Sequence, residues 1–430
     1  MTSRQSLSLL PDAYALSAAL IAAVLLSLSS GHATASSRAI EVDGLLLPTD
    51  TRSAPDGESP FAGTWIGRWD GFLKTIFVIE SVSPDGEATL VYSVAANPEI
   101  GFNRAWFRLK GRIDGRDLVA SGSGLTITLS ASETGRLRAV FGDGYSFAVL
   151  KRVDLLELTS GAGQIDWDIG ATERLQTRLV EDGRDIALET ILYRPPGPGP
   201  FPLAVINHGS TGMGTEEQAF KLTWSNDWLA ELLNAKGYLA AFPQRRGRGQ
   251  SDGLYDEGFG TDRSKGYTCE PSLSLAGANR ALEDVAAAIA ALKQRPDVTD
   301  GPVLLSGASR GGYLAAAYAG RFPEETAGVI NFVGGWMGEA CDTAAEINGT
   351  LAREAAGFTG QTLWLYGEDD PYYSIVHSQR MHAQFTQAGG HADFHAFKLR
   401  GSGNGHWVMA VPSLWQHLVE AYLDGLQARR

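Results

Sequence analysis

The segment LLSGASRGGYLAAAYAG, residues 304–320, places one serine among closely spaced glycines. Ser309 lies in a Gly-x-Ser-x-Gly pattern with Gly307 and Gly311. This pattern is short enough to arise by chance, so its meaning depends on the surrounding chain. A serine hydroxyl becomes a strong nucleophile only when a base takes its proton, and the base needs a carboxylate to orient it. A nucleophilic role for Ser309 therefore requires a suitable histidine and a suitable acid.

One of the eight histidines is well placed to be that base. His406 lies in GSGNGHWVM, a glycine-rich loop after the last predicted strand, ADFHAFKL. Glycines let such a loop approach other backbone closely. A histidine with a purely structural surface role is the alternative. The remaining histidines are predicted in the N-terminal leader, in the NHG turn, or on or beside helices and strands: His32, His208, His377, His382, His391, His395 and His417.

Three consecutive carboxylates offer candidates for the acid. Glu368, Asp369 and Asp370 follow the apolar strand TLWLYG directly. Each of them is also acceptable as a solvated turn residue. Because adjacent residues point in different directions, we expect only one of the three to face the base.

The elements around Ser309 suit a nucleophile. PVLLSGA reads as a buried strand and GGYLAAAYAGRF as a helix, and a strand, a tight turn and a helix are what a nucleophile elbow requires. Gly307 and Gly311 are expected where a Cβ would collide with neighbouring backbone. The turn places Ser309 at a helix N-terminus, where free amides favour developing negative charge.

The chain from residue 164 onward alternates apolar strands with helical segments of ten to twenty residues. This alternation predicts an α/β domain with a mostly parallel sheet and helices on both faces, over residues 164–430. It begins with an antiparallel hairpin, RLQTRLVEDGRDIALETILYRP. Between two later strands, residues 274–294 carry apolar residues at steps of three and four, which predicts one buried helix face.

The preceding part of the chain has a different pattern. Residues 61–153 contain short alternating runs divided by PDG, DG, SGSG and GDG turns, which predicts an accessory antiparallel β domain. Its start, GTWIGRWDG, resembles that of lipocalin-like β barrels. Trp65 and Trp69 there are interpreted as core residues, with binding of an apolar ligand as the alternative. Residues 36–60 are rich in Pro, Asp, Ser and Gly and are predicted to be a flexible lead-in.

With these motifs in their order, the part of the chain from residue 164 resembles the α/β-hydrolase superfamily, in particular its dienelactone-hydrolase-like and serine-peptidase-like branches. The family's Gly-x-x-Asp spacing implies Asp370 as the acid, and its chain order implies a triad of Ser309, Asp370 and His406. The resemblance also implies an oxyanion hole formed by the amides of Ser210, in NHGSTGMG, and Arg310. In dienelactone hydrolases proper the nucleophile is cysteine, whereas this chain has serine.

Two further family features concern side chains near the site. The His-Gly pair of the family shapes the oxyanion loop, which implies a structural role for His208. The segment PQRRGRGQSDG resembles the family's Arg-Gly-x-Gly-x-Ser turn. Arg246 and Arg248 in this segment are interpreted as loop braces, with contact to an acidic substrate group as the alternative.

These residues together predict a serine hydrolase that cleaves carboxylic esters through an acyl-enzyme intermediate. A serine peptidase is the alternative enzyme, although the accessory propeller usual in such peptidases has no counterpart in the β domain. A non-catalytic binding protein is the alternative outside enzymes. A small-molecule ester or peptide is the expected substrate, and we expect neither a cofactor nor a metal.

The N-terminus predicts export. LSAALIAAVLLSLSS, residues 16–30, is apolar, follows Arg4 and precedes ATA, which indicates a signal peptide over residues 1–35. The stretch is short for a membrane anchor, so we expect no stable membrane insertion after cleavage and a periplasmic or secreted location. An oxidising compartment favours a disulfide between the only two cysteines, Cys269 and Cys341, over two buried thiols.

The two cysteines lie in segments expected to form a small cap, residues 253–271 and 336–358. Aromatic residues there could set specificity or serve only as a brace: Tyr255, Phe259, Tyr267 and Trp336. The net charge of −13 argues against a general nucleic-acid binder. The composition gives no indication of the oligomeric state.

Overall fold

A computed structural model gives the fold of residues 38–428, apart from residues 56, 58, 99–101, 143, 162 and 402. The described residues divide into two units, the first ending at Ile169 and the second beginning at Gly170. The predicted signal peptide lies outside the described residues. Within those residues, no helix combines the length and the apolarity that crossing a bilayer requires.

The start of the described chain corrects the prediction of a flexible lead-in over residues 36–60. Ala39–Val42 (β1) and Leu45–Pro48 (β2) pair as an antiparallel hairpin. Asp43 and Gly44 connect them with φ values of 46° and 89°. Two consecutive positive φ angles are characteristic of the tight type I′ turn, for which Asp-Gly is a preferred sequence.

A closed barrel of eight antiparallel strands follows the hairpin, in agreement with the predicted antiparallel domain. Trp65 and Trp69 belong to the buried cluster of the barrel, and Trp69 makes edge-to-face contacts with Phe77 and Phe141. Both tryptophans are therefore packing residues. The strands are β3 Gly63–Trp69, β4 Leu73–Val82, β5 Glu87–Val94, β6 Ala105–Asp114, β7 Asp117–Gly122, β8 Leu125–Ala131, β9 Leu137–Phe141 and β10 Ser146–Val153.

A second apolar cluster in this unit explains why the hairpin is ordered. Its buried members come from β1 to β5 and from the segment after the barrel: Val42, Leu45, Leu47, Ile66, Ile76, Val78, Val91, Leu158 and Trp167. Leu158 lies on helix α1, Leu155–Ser160, and Trp167 follows it. Because Ile165 and Trp167 pack into this cluster, residues 164–169 belong to the first unit, and the second unit begins six residues later than the sequence predicts.

The second unit contains an eight-stranded, mostly parallel sheet, which confirms the predicted α/β class. The strand order is β11-β12-β14-β13-β15-β16-β17-β18. β11 and β12 form the predicted antiparallel entry hairpin, and the six strands from β14 to β18 run parallel. The strands are β11 Ala171–Glu181, β12 Arg184–Tyr193, β13 Leu203–Asn207, β14 Leu239–Pro243, β15 Val303–Ala308, β16 Thr326–Phe332, β17 Gln361–Gly367 and β18 His391–Phe397.

Helices connect the parallel strands, because parallel neighbours need a long crossover connection between them. The apolar stripe predicted for residues 274–294 is buried on the helix Pro271–Leu292, and the carboxyl ends of the parallel strands share one edge of the sheet. The helices are α2 Glu217–Phe220, α3 Asp227–Ala235, α4 Pro271–Leu292, α5 Arg310–Arg321, α6 Ala344–Ala355, α7 Ile375–Gln387 and α8 Pro412–Gln427.

Candidate active site

Ser309 occupies the turn between β15 and α5. Its backbone has φ 55° and ψ −125°, a conformation that non-glycine residues rarely adopt. The Ser309 amide donates a hydrogen bond to the carbonyl oxygen of Phe332, at 3.0 Å, which helps to hold the strained turn in place. Backbone strain held by its surroundings is common at functional sites. The turn thus has the geometry of a nucleophile elbow.

Glycines permit the close packing around this elbow. A Cβ on Gly307 would lie 2.4 Å from the carbonyl carbon of Gly311, and a Cβ on Gly311 would lie 2.0 Å from the carbonyl oxygen of Asn207. Neither distance is compatible with a side chain. The two glycines of the pattern therefore let β15, α5 and the end of β13 meet beneath Ser309.

Of the three candidate acids after β17, the structure turns Asp370 towards His406. Asp370 is buried, and its Oδ1 accepts hydrogen bonds from the amides of Tyr372 and Tyr373 at 2.8 and 3.1 Å. Its Oδ2 lies 2.8 Å from Nδ1 of His406. Asp369, the rival candidate, is exposed. Both oxygens of the Asp370 carboxylate are thus engaged, one by the turn and one by the histidine.

Residues of the His406 loop itself let it lie against the turn that carries Asp370. His406 lies in a short 3-10 helix, Gly405–Ala410, whose first turn is capped by the Asn404 side chain accepting from the His406 amide at 2.9 Å. A Cβ on Gly405 would lie 1.9 Å from the carbonyl oxygen of Glu368. The glycine before His406 therefore allows the loop to touch the acid turn, as its predicted close approach requires.

Tyr373, which the sequence motifs did not indicate, interacts with both Ser309 and His406. Its hydroxyl donates to the carbonyl oxygen of Gly335 at 2.7 Å and also interacts with the Ser309 side chain. Its ring centroid lies 5.6 Å from that of His406. Burial raises the pKa of Tyr373, so this phenol is neutral at physiological pH. The adjacent tyrosines after the acid in DDPYYS were the available signal.

The residues that follow β13 pack closely against Ser309. A Cβ on Gly209 would lie 3.2 Å from the Cβ of Ser309. Ser210 follows directly, and Arg310 is the first residue of α5, so its amide has no acceptor within the helix. The two residues expected to form an oxyanion hole are thus found on the two segments that flank the serine.

His208 is buried and neutral, which agrees with a structural role. Burial lowers its pKa well below the ordinary value, and the nearby charges of Arg245 and Arg248 act in the same direction. Nε2 accepts a hydrogen bond from the Arg245 amide at 3.0 Å. Nδ1 therefore carries the proton and donates to the carbonyl oxygen of Gly209 at 2.8 Å.

The arginines of PQRRGRG are buried, which favours the interpretation that they brace loops. Arg246 forms an ion pair with Asp284 at 2.5 Å, and Arg245 forms one with Glu257, also at 2.5 Å. Arg248 lies over the ring of Tyr255, with its guanidinium carbon 5.8 Å from the ring centroid. All three guanidinium groups are largely removed from solvent.

The two segments expected to form a cap are joined by a disulfide between Cys269 and Cys341, whose Cα atoms are 5.4 Å apart. The aromatic residues of these segments mainly pack inward, and Tyr255, Phe259 and Trp336 are all buried. This burial favours the role of a brace over that of a substrate wall.

A serine in an elbow, a buried carboxylate paired with a histidine, and a mostly parallel sheet that presents all three at one edge define an α/β-hydrolase. The chain belongs to the dienelactone hydrolase family, whose model matches residues 188–406. It is accordingly a hydrolytic enzyme with a small-molecule substrate. A comparison with curated proteins finds no match.

Solved structures similar to this chain include two esterases. The first is Est1E from Butyrivibrio proteoclasticus with bound ferulic acid, at 16% identity and a TM-score of 0.41, covering 57% of this chain and 97% of that one. The second is an esterase from Pyrococcus furiosus, at 12% identity and a TM-score of 0.41, covering 59% of this chain and 89% of that one.

Proposed function

We propose that this protein is a serine hydrolase that cleaves carboxylic esters through an acyl-enzyme on Ser309. Two observations carry the proposal: the 2.8 Å hydrogen bond between His406 Nδ1 and the buried carboxylate of Asp370, and the strained elbow at Ser309. With Nδ1 bound to the acid, Nε2 is left free to accept the serine proton.

In the proposed reaction, the Ser309 Oγ attacks the ester carbonyl while His406 takes the proton of the serine hydroxyl. Asp370 stabilises the imidazolium that forms. The amides of Ser210 and Arg310 donate to the oxyanion of the tetrahedral intermediate. His406 then protonates the leaving alcohol, and a water molecule repeats the sequence to release the carboxylic acid.

The compartment of the protein is part of the proposal. We expect export and removal of residues 1–35, so that the mature chain begins near Ser36 in the periplasm or the medium. The disulfide between Cys269 and Cys341 supports this expectation, because such bonds persist in oxidising compartments. N-terminal sequencing of protein recovered from the periplasmic and culture fractions tests it, and an intact N-terminus in both would contradict it.

A substrate panel tests the reaction class. Purified protein is incubated with p-nitrophenyl esters of increasing acyl length and with aminoacyl p-nitroanilides. We expect turnover of at least one ester series and a much smaller kcat/KM for every anilide. Turnover of anilides but not esters would replace the esterase assignment with that of a peptidase. A Ser309→Ala variant is the control for hydrolysis by contaminants.

A further inference from the structure

Glu257, a buried carboxylate outside the proposed triad, contacts two arginines: one binds the loop after β13 and the other begins α5, and both of these segments lie next to Ser309. We propose that Glu257 is a positioning residue, which holds the two oxyanion amides in place through the side chains of Arg245 and Arg310. The inference rests on the function proposed above, since it concerns how the same site is kept in its reactive geometry.

The first connection runs to the peptide bond between Gly209 and Ser210. The carbonyl oxygen of this peptide accepts hydrogen bonds from His208 Nδ1 at 2.8 Å and from Arg245 Nη2 at 3.3 Å. Arg245 Nη1 also donates to the carbonyl oxygen of His208 at 2.8 Å. In a trans peptide the N–H points away from the C=O, so donors that hold the carbonyl also direct the Ser210 amide. A cationic donor at the carbonyl further strengthens that amide as a donor.

The second connection runs to α5. Arg310 Nη1 donates to the carbonyl oxygen of Glu257 at 2.8 Å and lies 3.4 Å from its carboxylate, while Nε donates to the carbonyl oxygen of Trp336 at 2.9 Å. The guanidinium carbon lies 3.7 Å from the ring centroid of Tyr267 and 4.3 Å from that of Trp336. These contacts fix the position of the Arg310 side chain, and the amide of the same residue is the second proposed donor.

Glu257 joins these two connections. Its side chain is 3% exposed, Oε1 accepts from Arg245 Nε at 2.5 Å, and Oε2 accepts from the Tyr255 hydroxyl at 3.0 Å. Burial by itself raises the pKa of Glu257, but the charges of Arg245 and Arg310 outweigh it, and the net shift is downward. The carboxylate is thus ionised and shared between two buried arginines.

The segment that carries Glu257, residues 253–271, also contacts the loop of Ser210 and Thr211 through a series of hydroxyl groups. The Tyr255 hydroxyl lies 2.7 Å from that of Tyr267, which in turn accepts from the Thr211 amide at 3.2 Å. Thr211 follows Ser210 directly. The disulfide between Cys269 and Cys341 ties the end of this segment to residues that follow β16. Glu257 is therefore part of a braced structure and not an isolated ion pair.

Loss of this carboxylate should weaken transition-state binding more than substrate binding. Oxyanion donors act on charge that develops during the reaction, and loss of one such donor costs about 10²–10³-fold in kcat. Displacement of the donors, with both still present, should cost less. We expect Glu257→Gln to lower kcat by about 10–100-fold and to leave KM within about threefold.

The chain contains a matched control. Asp284 is a second buried carboxylate paired with an arginine of the same turn, Arg246, but its contacts lead to α4 and not to the oxyanion loop. Asp284→Asn should lower the unfolding temperature as Glu257→Gln does, because each leaves a buried arginine without its partner. Asp284→Asn should leave kcat within about threefold of that of the unchanged protein.

The affinity of a trifluoromethyl ketone inhibitor distinguishes a positioning role from a merely structural one, because a residue that only stabilises the fold would not change this affinity. The adduct of this ketone with the serine carries an oxyanion in the position of the tetrahedral intermediate. Glu257→Gln should weaken this inhibitor by the same factor as kcat/KM, whereas Asp284→Asn should not. If Glu257→Gln does not fold, Arg245→Lys serves instead. Its single ammonium cannot reach both backbone carbonyls and the carboxylate, and we expect about a tenfold loss of kcat.

The outcomes separate this inference from the proposed function. If the unchanged protein hydrolyses no ester and its Ser309 is not labelled by a fluorophosphonate, the proposed function fails. If the unchanged protein is active but folded Glu257→Gln, or folded Arg245→Lys, keeps its kcat and its inhibitor affinity, the inference alone fails. An equal loss of kcat in Asp284→Asn would also overturn it, because general destabilisation would then explain the effect.

Discussion

Substitution of Asp370 by asparagine tests the proposed acid with little change of shape. Oδ1 of Asp370 accepts from two backbone amides at 2.8 and 3.1 Å, so an asparagine would keep its carbonyl oxygen there. Its NH₂ group would then take the place of Oδ2, which lies 2.8 Å from His406 Nδ1. Facing a donor, Nδ1 must become an acceptor, and the proton of the imidazole moves to Nε2.

The size of the effect follows from this tautomer. With its proton on Nε2, His406 cannot accept the proton of Ser309 as the serine attacks. The corresponding change in a serine protease lowers kcat by about 10⁴-fold. We expect a loss of about 10³–10⁴-fold in kcat for Asp370→Asn, which corresponds to about 4–5.5 kcal/mol at 1.36 kcal/mol per tenfold. KM should change little, because the carboxylate does not contact substrate.

The neighbouring carboxylate provides the control for this prediction. Asp369 is exposed, and Asp369→Asn should keep kcat within about twofold. Initial rates with the best p-nitrophenyl ester are measured for both variants, and circular dichroism establishes that each is folded. The reasoning would be refuted if folded Asp370→Asn kept more than a tenth of the activity, or if Asp369→Asn lost as much.

Three further predictions concern stability. Gly311→Ala places a Cβ 2.0 Å from a backbone oxygen, so it should lower the free energy of unfolding, measured by urea titration, by more than about 3 kcal/mol. A Cβ on Gly301 would have nothing within 4 Å, so Gly301→Ala should change this free energy by less than about 0.5 kcal/mol. Replacing Cys269 and Cys341 by serine opens a loop of 72 residues and should cost about 4 kcal/mol of unfolding free energy, and an unchanged urea midpoint would contradict this. Because the pKa of Glu257 is lowered in the folded protein, the ionised carboxylate stabilises the fold fully above its ordinary pKa of 4.5, and this stabilisation is lost as the pH falls through the lower pKa of the folded state. The difference in unfolding free energy between the unchanged protein and Glu257→Gln should therefore shrink between pH 7 and pH 3. A difference that is constant over this range would count against the ionised, paired carboxylate.

The sequence predicts the strands, their class and the residues at the edge of the sheet because these depend on local patterns. Apolar runs of five to seven residues divided by helices are enough to indicate a parallel sheet. The positions of Ser309 and His406 after such runs then place them at the same edge. The choice among Glu368, Asp369 and Asp370 needed the family spacing, because direction within a turn depends on backbone angles that the sequence does not reveal.

Long-range partners explain the predictions that were wrong. The composition of residues 36–60 indicates a flexible segment, but Val42 and Leu45 find apolar partners on the barrel strands. The Asp43-Gly44 pair was a usable hairpin signal, since it stands between two apolar runs. Residues 164–169 were assigned to the wrong unit for the same reason, as Trp167 packs into that cluster.

The buried polar groups were the least predictable part of the site. Glu257 is one of many carboxylates in an acidic chain, and only the fold brings it to Arg245, 12 residues away, and to Arg310, 53 residues away. Tyr373 likewise gains its place beside Ser309 from the packing of the turn after β17. Patterns of apolarity say little about such pairs, because burial of a charge depends on a partner far along the chain.

Labelling with a fluorophosphonate tests the central claim most directly. The reagent forms a covalent adduct with a serine only where a base activates it, so the native protein should gain one phosphonyl group, and peptide mass spectrometry should place it on Ser309. His406→Ala and urea-denatured protein should label far more slowly. No adduct in folded protein, or an adduct on a residue other than Ser309, would contradict the account.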